Sequence, residues 1–144
     1  MDRLLPLNSY DKIIVSMSGG KDSIACFLHL YEQENLDINK VEIWHNCIDG
    51  FDQWERRYFD WDSTEGYVRE FAKEFCVPLL WSWRDFGMHG EMYKQNRRSH
   101  GIRYVYEHDL PDKSKVRHIP QGSGQTQRSY AIPFQTDGYE PTLV

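Results

Sequence analysis

At 144 residues the chain has the length of one domain with a single buried core, and is short for two. Its 40% apolar and 15% aromatic content excludes a disordered chain, and no stretch approaches the roughly 18 consecutive apolar residues of a membrane span. A formal net charge of -5 disfavours nucleic acid as a generic partner.

Residues 12–17 form a short apolar run rich in β-branched side chains, bounded by Asp11 and by Gly19 and Gly20, and this predicts a buried strand. Beyond the glycines, Ile24, Phe27, Leu28 and Tyr31 recur at i, i+3, i+4 and i+7, one face of a helix. Residues 41–48 read as a second strand in which Val41, Ile43 and His45 alternate with the rest, closed by the turn pair Asp49-Gly50. Asp62 followed by Glu65 resembles a helix-start box, and Tyr67, Val68, Phe71, Ala72 and Phe75 then keep helical spacing until Pro78. Residues 79–83 make a third strand, residues 90–97 a short helix, and Ile102, Tyr104 and Tyr106 alternate as a further strand. Alternation of strand and helix builds a parallel sheet with helical crossovers, so the predicted class is α/β.

The three scattered cysteines, Cys26, Cys47 and Cys76, make no disulfide framework, and the start of the chain lacks a secretory leader's apolar core. Both point to the cytoplasm. His45 and Cys47 share a strand face, which with Cys76 sketches a metal site; buried structural cysteines are the plainer reading. Charge is uneven along the chain. Residues 1–93 carry 9 Lys/Arg against 17 Asp/Glu, whereas residues 94–118 carry 7 against 3. That basic run is either a solvated face or a source of cations for a phosphorylated ligand.

Chemistry concentrates between the first strand and the first helix, at Ser18-Gly19-Gly20-Lys21-Asp22-Ser23. A loop that leaves a parallel strand and opens a helix presents free backbone N–H groups and the positive end of the helix dipole, so it favours anions. Gly19 and Gly20 let backbone approach a phosphate, Ser18 and Ser23 add hydroxyls, and Lys21 adds a mobile ammonium. It is not a Walker A loop, because Val15 stands where that pattern needs glycine, and it is not G-x-G-x-x-G.

This hexapeptide resembles the PP-loop of the adenine-nucleotide α-hydrolase superfamily, which includes ATP pyrophosphatases and phosphoadenylyl-sulfate (PAPS) reductases. Residues 41–50 (VEIWHNCIDG), 60–64, 67–75 and 78–84, then Glu91-Met92, look like a PAPS reductase-like subfamily of phage and bacterial type, over about residues 12–98. The resemblance implies a Rossmann-like parallel sheet with flanking helices, in strand order 3-2-1-4-5. It divides the chain into a nucleotide-binding domain at 1–121 and a divergent or flexible tail at 122–144.

The implied ligand is an adenine nucleotide, ATP or a PAPS-like molecule, with Mg²⁺ where ATP is used. Its implied phosphate site is Ser18, Gly19, Gly20, Lys21, Asp22 and Ser23 with Ser16 just before them, and Lys21 and Asp22 are the candidate catalytic groups. Asp49, at the end of the second strand, binds ribose or a metal, or else caps the turn. Arg84, after the third strand, pairs an anion or solvates that edge. Trp44 and His45 contact adenine or pack in the core; Trp61, Trp81 and Trp83 are core or rim aromatics. With no cysteine after Cys76, thiol-based sulfonate reduction is not expected of this chain alone. The expected activity is cleavage or transfer at the α-phosphate, with a catalytically silent nucleotide-binding remnant as the alternative. Without later strands beside it, the 12–17 strand becomes an apolar edge, which predicts association there with a second copy or a partner, or marginal stability.

Overall fold

The computed structural model describes residues 5–51, 58–93, 101–110 and 112–119. The expected tail at 122–144 lies outside them, as do Lys94, Arg97 and Arg98 of the basic run. The strands are β1 (Ile13–Ser16), β2 (Val41–Asn46), β3 (Leu79–Arg84), β4 (Ile102–Tyr106) and β5 (Arg117–Ile119). The helices are α1 (Lys21–Tyr31), α2 (Thr64–Glu74) and α3 (Gly87–Met92). Among the described residues no helix is long and apolar enough to cross a membrane.

The first three strands form the expected parallel βαβαβ unit, with Ile13 opposite Val41 and Ile43 opposite Leu79. The fold is α/β and Rossmann-like in this unit. The sheet order, however, is β1-β2-β3-β4-β5, not 3-2-1-4-5. β4 returns antiparallel beside β3, with Trp81 opposite Val105, and β5 extends the sheet antiparallel beyond it. Long-range side-chain contacts hold that arrangement. The Arg103 guanidinium grips Asp85 with two bonds of 2.6 and 3.0 Å. Glu107, just past β4, accepts from Arg69 Nε on α2 at 2.6 Å and from the Trp81 indole N–H on β3. β1 is therefore an end of the described sheet, as expected of an edge, but because β4 and β5 join on the far side of β3.

Burial on one sheet face follows from strand alternation. Val15, Val41, Ile43, Leu79, Trp81 and Val105 meet Phe27 from α1 and Val68 and Ala72 from α2 in one cluster. Phe27 stands edge-on to Phe71 and Phe75, with ring centres 5.1 and 4.9 Å apart. The strict alternation expected of β2 fails at Glu42, which is buried on the opposite face. There its carboxylate accepts from the Trp44 indole at 3.2 Å and from the Tyr106 hydroxyl, and pairs with Lys12. The bond to Glu42 raises the Lys12 ammonium above its ordinary value; desolvation, then the Glu42 charge, raises the Tyr106 phenol.

Three local expectations are corrected. In α1 the inward stripe is Ile24, Phe27 and Leu30; Leu28 is exposed, and Tyr31, half exposed, lays its ring against Phe27 and Phe75. In α2 Asp62 is not the cap: the helix begins at Thr64, whose hydroxyl donates to Asp60 at 2.6 Å. The third helix spans Gly87–Met92, not 90–97, and residues 94–97 lie outside the described residues.

These two faces of α1 separate in a stability measurement. Phe27→Ala should cost about 3–5 kcal/mol in urea unfolding through the cavity it leaves. Leu28→Ala should change stability by no more than about 0.5 kcal/mol.

Candidate functional site

The carboxyl ends of β1, β2 and β3 face one edge of the sheet, where ligands of open α/β folds sit. Residues 17–20 leave β1 there, residues 47–51 and 58–63 leave β2, and Asp85 and Phe86 leave β3. The chain turns from β1 into α1 through Gly19, whose φ of +82° suits glycine. A Cβ at Gly19 would stand 3.1 Å from the Thr64 methyl and 3.3 Å from Val68. The loop therefore lies directly against the first turns of α2. Gly20, extended at φ -84°, has only the Ser18 hydroxyl within ordinary contact of a Cβ.

Within the loop, the Gly20 N–H donates to Ser18 Oγ at 3.3 Å, and Ser18 and Ser23 hydroxyls lie 3.2 Å apart. Ser23 Oγ donates to the Gly20 carbonyl at 2.8 Å. The two serines thus brace the turn as well as offering hydroxyls outward. Lys21 and Asp22 are the first residues of α1, both exposed, and among the described residues neither side chain has a hydrogen bond or ion pair. Ser16 is exposed at the last position of β1.

Asp49 is placed differently from the expectation of a ribose or metal ligand. It is 3% exposed, and its carboxylate accepts the backbone N–H groups of Tyr58, Phe59 and Asp60 at 3.0–3.2 Å. These bonds engage both oxygens, so Asp49 folds the segment after β2. Arg84 ends β3 half-buried, with Nη1 3.9 Å from Glu91 on α3. It lies two strands from β1, roughly 10 Å across the sheet.

His45 and Trp44 part company. His45 is buried beside Trp81, with its Nδ1 2.7 Å from the Met17 carbonyl oxygen, so it packs in the core and does not meet a base. Trp44 lies on the opposite sheet face with Glu42. Trp81 and Trp83 are core residues; Trp61, 82% exposed, is not. Cys47 is buried, Cys26 and Cys76 are exposed, and among the described residues no three His, Cys, Asp or Glu gather as a metal site.

Two contributors escape sequence patterns. Asp60 joins the Trp61 N–H (2.8 Å) and the Thr64 hydroxyl (2.6 Å), and so fixes the start of α2 against Gly19. An acidic residue just ahead of a helix is a usable signal, but the better-spaced Asp62 obscures it. Gly87 is the second: a Cβ there would lie 2.4–2.6 Å from the backbone of Ile48 and Asp49. That close approach, with Met88 N–H donating to the Ile48 carbonyl at 2.7 Å, docks α3 on the exit of β2.

No protein-family model matches the chain, and no solved structure does. Among curated proteins, 85 residues are 36% identical to tRNA(Ile)-lysidine synthase of Clostridium tetani (strain Massachusetts / E88). The match covers 56% of this chain and 16% of that protein, so the chain spans about a sixth of the relative's length. This likeness supports the PP-loop superfamily and gives no support to a PAPS reductase-like family or to sulfur chemistry.

The two loop glycines should respond differently to a methyl group. Gly19→Ala should lose about 1–3 kcal/mol in denaturant unfolding, from the left-handed backbone and the crowding at Thr64 and Val68. Gly20→Ala should stay within about 0.5 kcal/mol of the parent.

Proposed function

We propose that residues 17–23 bind the phosphates of ATP and that the domain promotes displacement at the α-phosphorus. The observation carrying this reading is the loop itself: a left-handed Gly19 between a parallel strand and α1, followed by Lys21 and Asp22, two charges with no partner among the described residues. The likeness to a PP-loop protein supports it, and supports ATP over an adenylyl sulfate.

The roles follow from the side chains. Backbone N–H groups at the start of α1 receive phosphate oxygens, and Gly20 lets them come close. Lys21 offsets phosphate charge. In the displacement an acceptor atom bonds to the α-phosphorus, the bond to the bridging oxygen breaks, and pyrophosphate leaves with the electron pair. Charge builds on that leaving group, where fixed N–H dipoles and the Lys21 ammonium stabilise it most.

Asp22 conflicts with a phosphate unless a cation stands between them. The donor set fits an Mg²⁺ that arrives on the nucleotide and takes one protein carboxylate, since Asp49 is committed to backbone N–H groups. Such an ion would offset charge on the pyrophosphate. Asp49 and Arg84 are left out of the ligand shell, Asp49 for its buried bonds and Arg84 for its distance from β1.

Calorimetric titration with ATP, with and without Mg²⁺, tests this, with pyrophosphate release as the measure of turnover. Lys21→Ala should weaken ATP binding about 10- to 100-fold by removing a charged donor. Asp22→Asn should shrink the gain in affinity that Mg²⁺ gives the parent and leave metal-free binding equal or tighter. Tighter binding of PAPS than of ATP would move the reading to sulfur chemistry. Binding of neither would end it.

A further inference from the structure

We propose that His45 is the positioning residue of the phosphate loop, acting through its bond to the Met17 carbonyl. The inference rests on the nucleotide reading for its consequence, though not for its geometry. Met17 is where the chain leaves β1, and β2 holds its backbone at both ends. Its N–H donates to the Trp44 carbonyl at 2.8 Å, and its carbonyl oxygen lies 2.7 Å from His45 Nδ1. A carbonyl only accepts, so Nδ1 carries the hydrogen and the imidazole donates. The next peptides are those of Ser18, Gly19 and Gly20, so the orientation of the Met17 carbonyl sets the plane from which the loop begins.

The other side of the ring meets the second wall of the loop. His45 Nε2 stands 4.0 Å from Asp60 Oδ2, and Asp60 Oδ1 holds the Thr64 hydroxyl, whose methyl crowds Gly19. One buried side chain on β2 thus lies between the start of the loop and the brace of α2. At 1% exposure it cannot meet a ligand, so its influence on binding passes through Met17 and Asp60. A residue serving only to fill the core would be replaceable by an apolar side chain of similar size. The bond to Met17 makes a different demand, for an N–H at the Nδ1 position.

Three variants of the full chain separate these demands. His45→Leu fills the space without a donor, His45→Asn keeps an N–H where Nδ1 was, and His45→Gln moves it toward Asp60. Amide hydrogen exchange by mass spectrometry, on nucleotide-free protein, reads peptides covering 17–23 and 102–106; titration with ATP reads affinity. His45→Leu should speed exchange at 17–23 and weaken ATP at least about fivefold, with 102–106 on β4, which does not adjoin β2, unchanged. His45→Asn should restore most of both. Should His45→Leu not fold, Asn against Gln carries the comparison, with Asn expected nearer the parent.

Loop exchange and affinity unchanged in a folded Leu variant would overturn the proposal, as would an Asn variant no better than Leu or Gln. If exchange responds as expected while the parent binds no ATP, the positioning role stands and the nucleotide reading falls. If ATP binds and neither readout follows residue 45, the reverse holds.

Discussion

The constraint on which the rest depends is the passage from β1 to α1 through a left-handed Gly19 lying on α2. Four residues separate the end of the strand from the start of the helix. Without the φ of +82°, Lys21 and Asp22 would not follow directly on the turn. Without the missing Cβ, Thr64 and Val68 could not close over it. The same glycine therefore shapes the loop and admits its neighbour. Shape and support are one requirement here, and a substitution that harms one harms the other.

The sheet around that passage explains why the loop is reinforced from β2. Among the described residues β1 is an end strand, with hydrogen-bonded support from β2 alone. In a sheet of order 3-2-1-4-5 the first strand would be flanked on both sides. Here the described support comes from β2: ladder bonds, the Trp44 carbonyl to Met17, and the His45 ring on the Met17 carbonyl. Meanwhile β3 is stabilised from its other side by Arg103–Asp85 and by Glu107 with Arg69 and Trp81. The two partly exposed ion pairs contribute little energy singly, but their placement selects β3 as the partner of β4.

Much of this was legible in the residues, for identifiable reasons. The first three strands and both long helices follow from apolar runs and helical spacing, signals that local burial writes directly into sequence. The inward face of α1 was misread at Leu28 because spacing alone cannot say which side of Phe27 the neighbouring aromatics occupy. The strand order was not legible, since it turns on contacts such as Arg69 to Glu107, 38 residues apart. The partners of Asp49 show the same limit. Its position after a strand looks ligand-facing, while its partners are backbone N–H groups 9 to 11 residues away that leave no pattern in side-chain identity.

The carboxylates around the loop divide by what surrounds them. Asp49 and Asp60 accept backbone N–H groups or a hydroxyl, and their negative charge is spent on holding the segment between β2 and α2. Asp22 has no such partner among the described residues and lies in the first turn of α1, beside an equally unpaired Lys21. A carboxylate there is stabilised by the helix dipole, and so is an anionic ligand; the two compete for the same partial positive charge. Retaining both within one turn is favourable when a cation links them, and costly otherwise. In the proposed reading, a nucleotide that brings phosphates and a metal together would satisfy the opposed charges at 21 and 22.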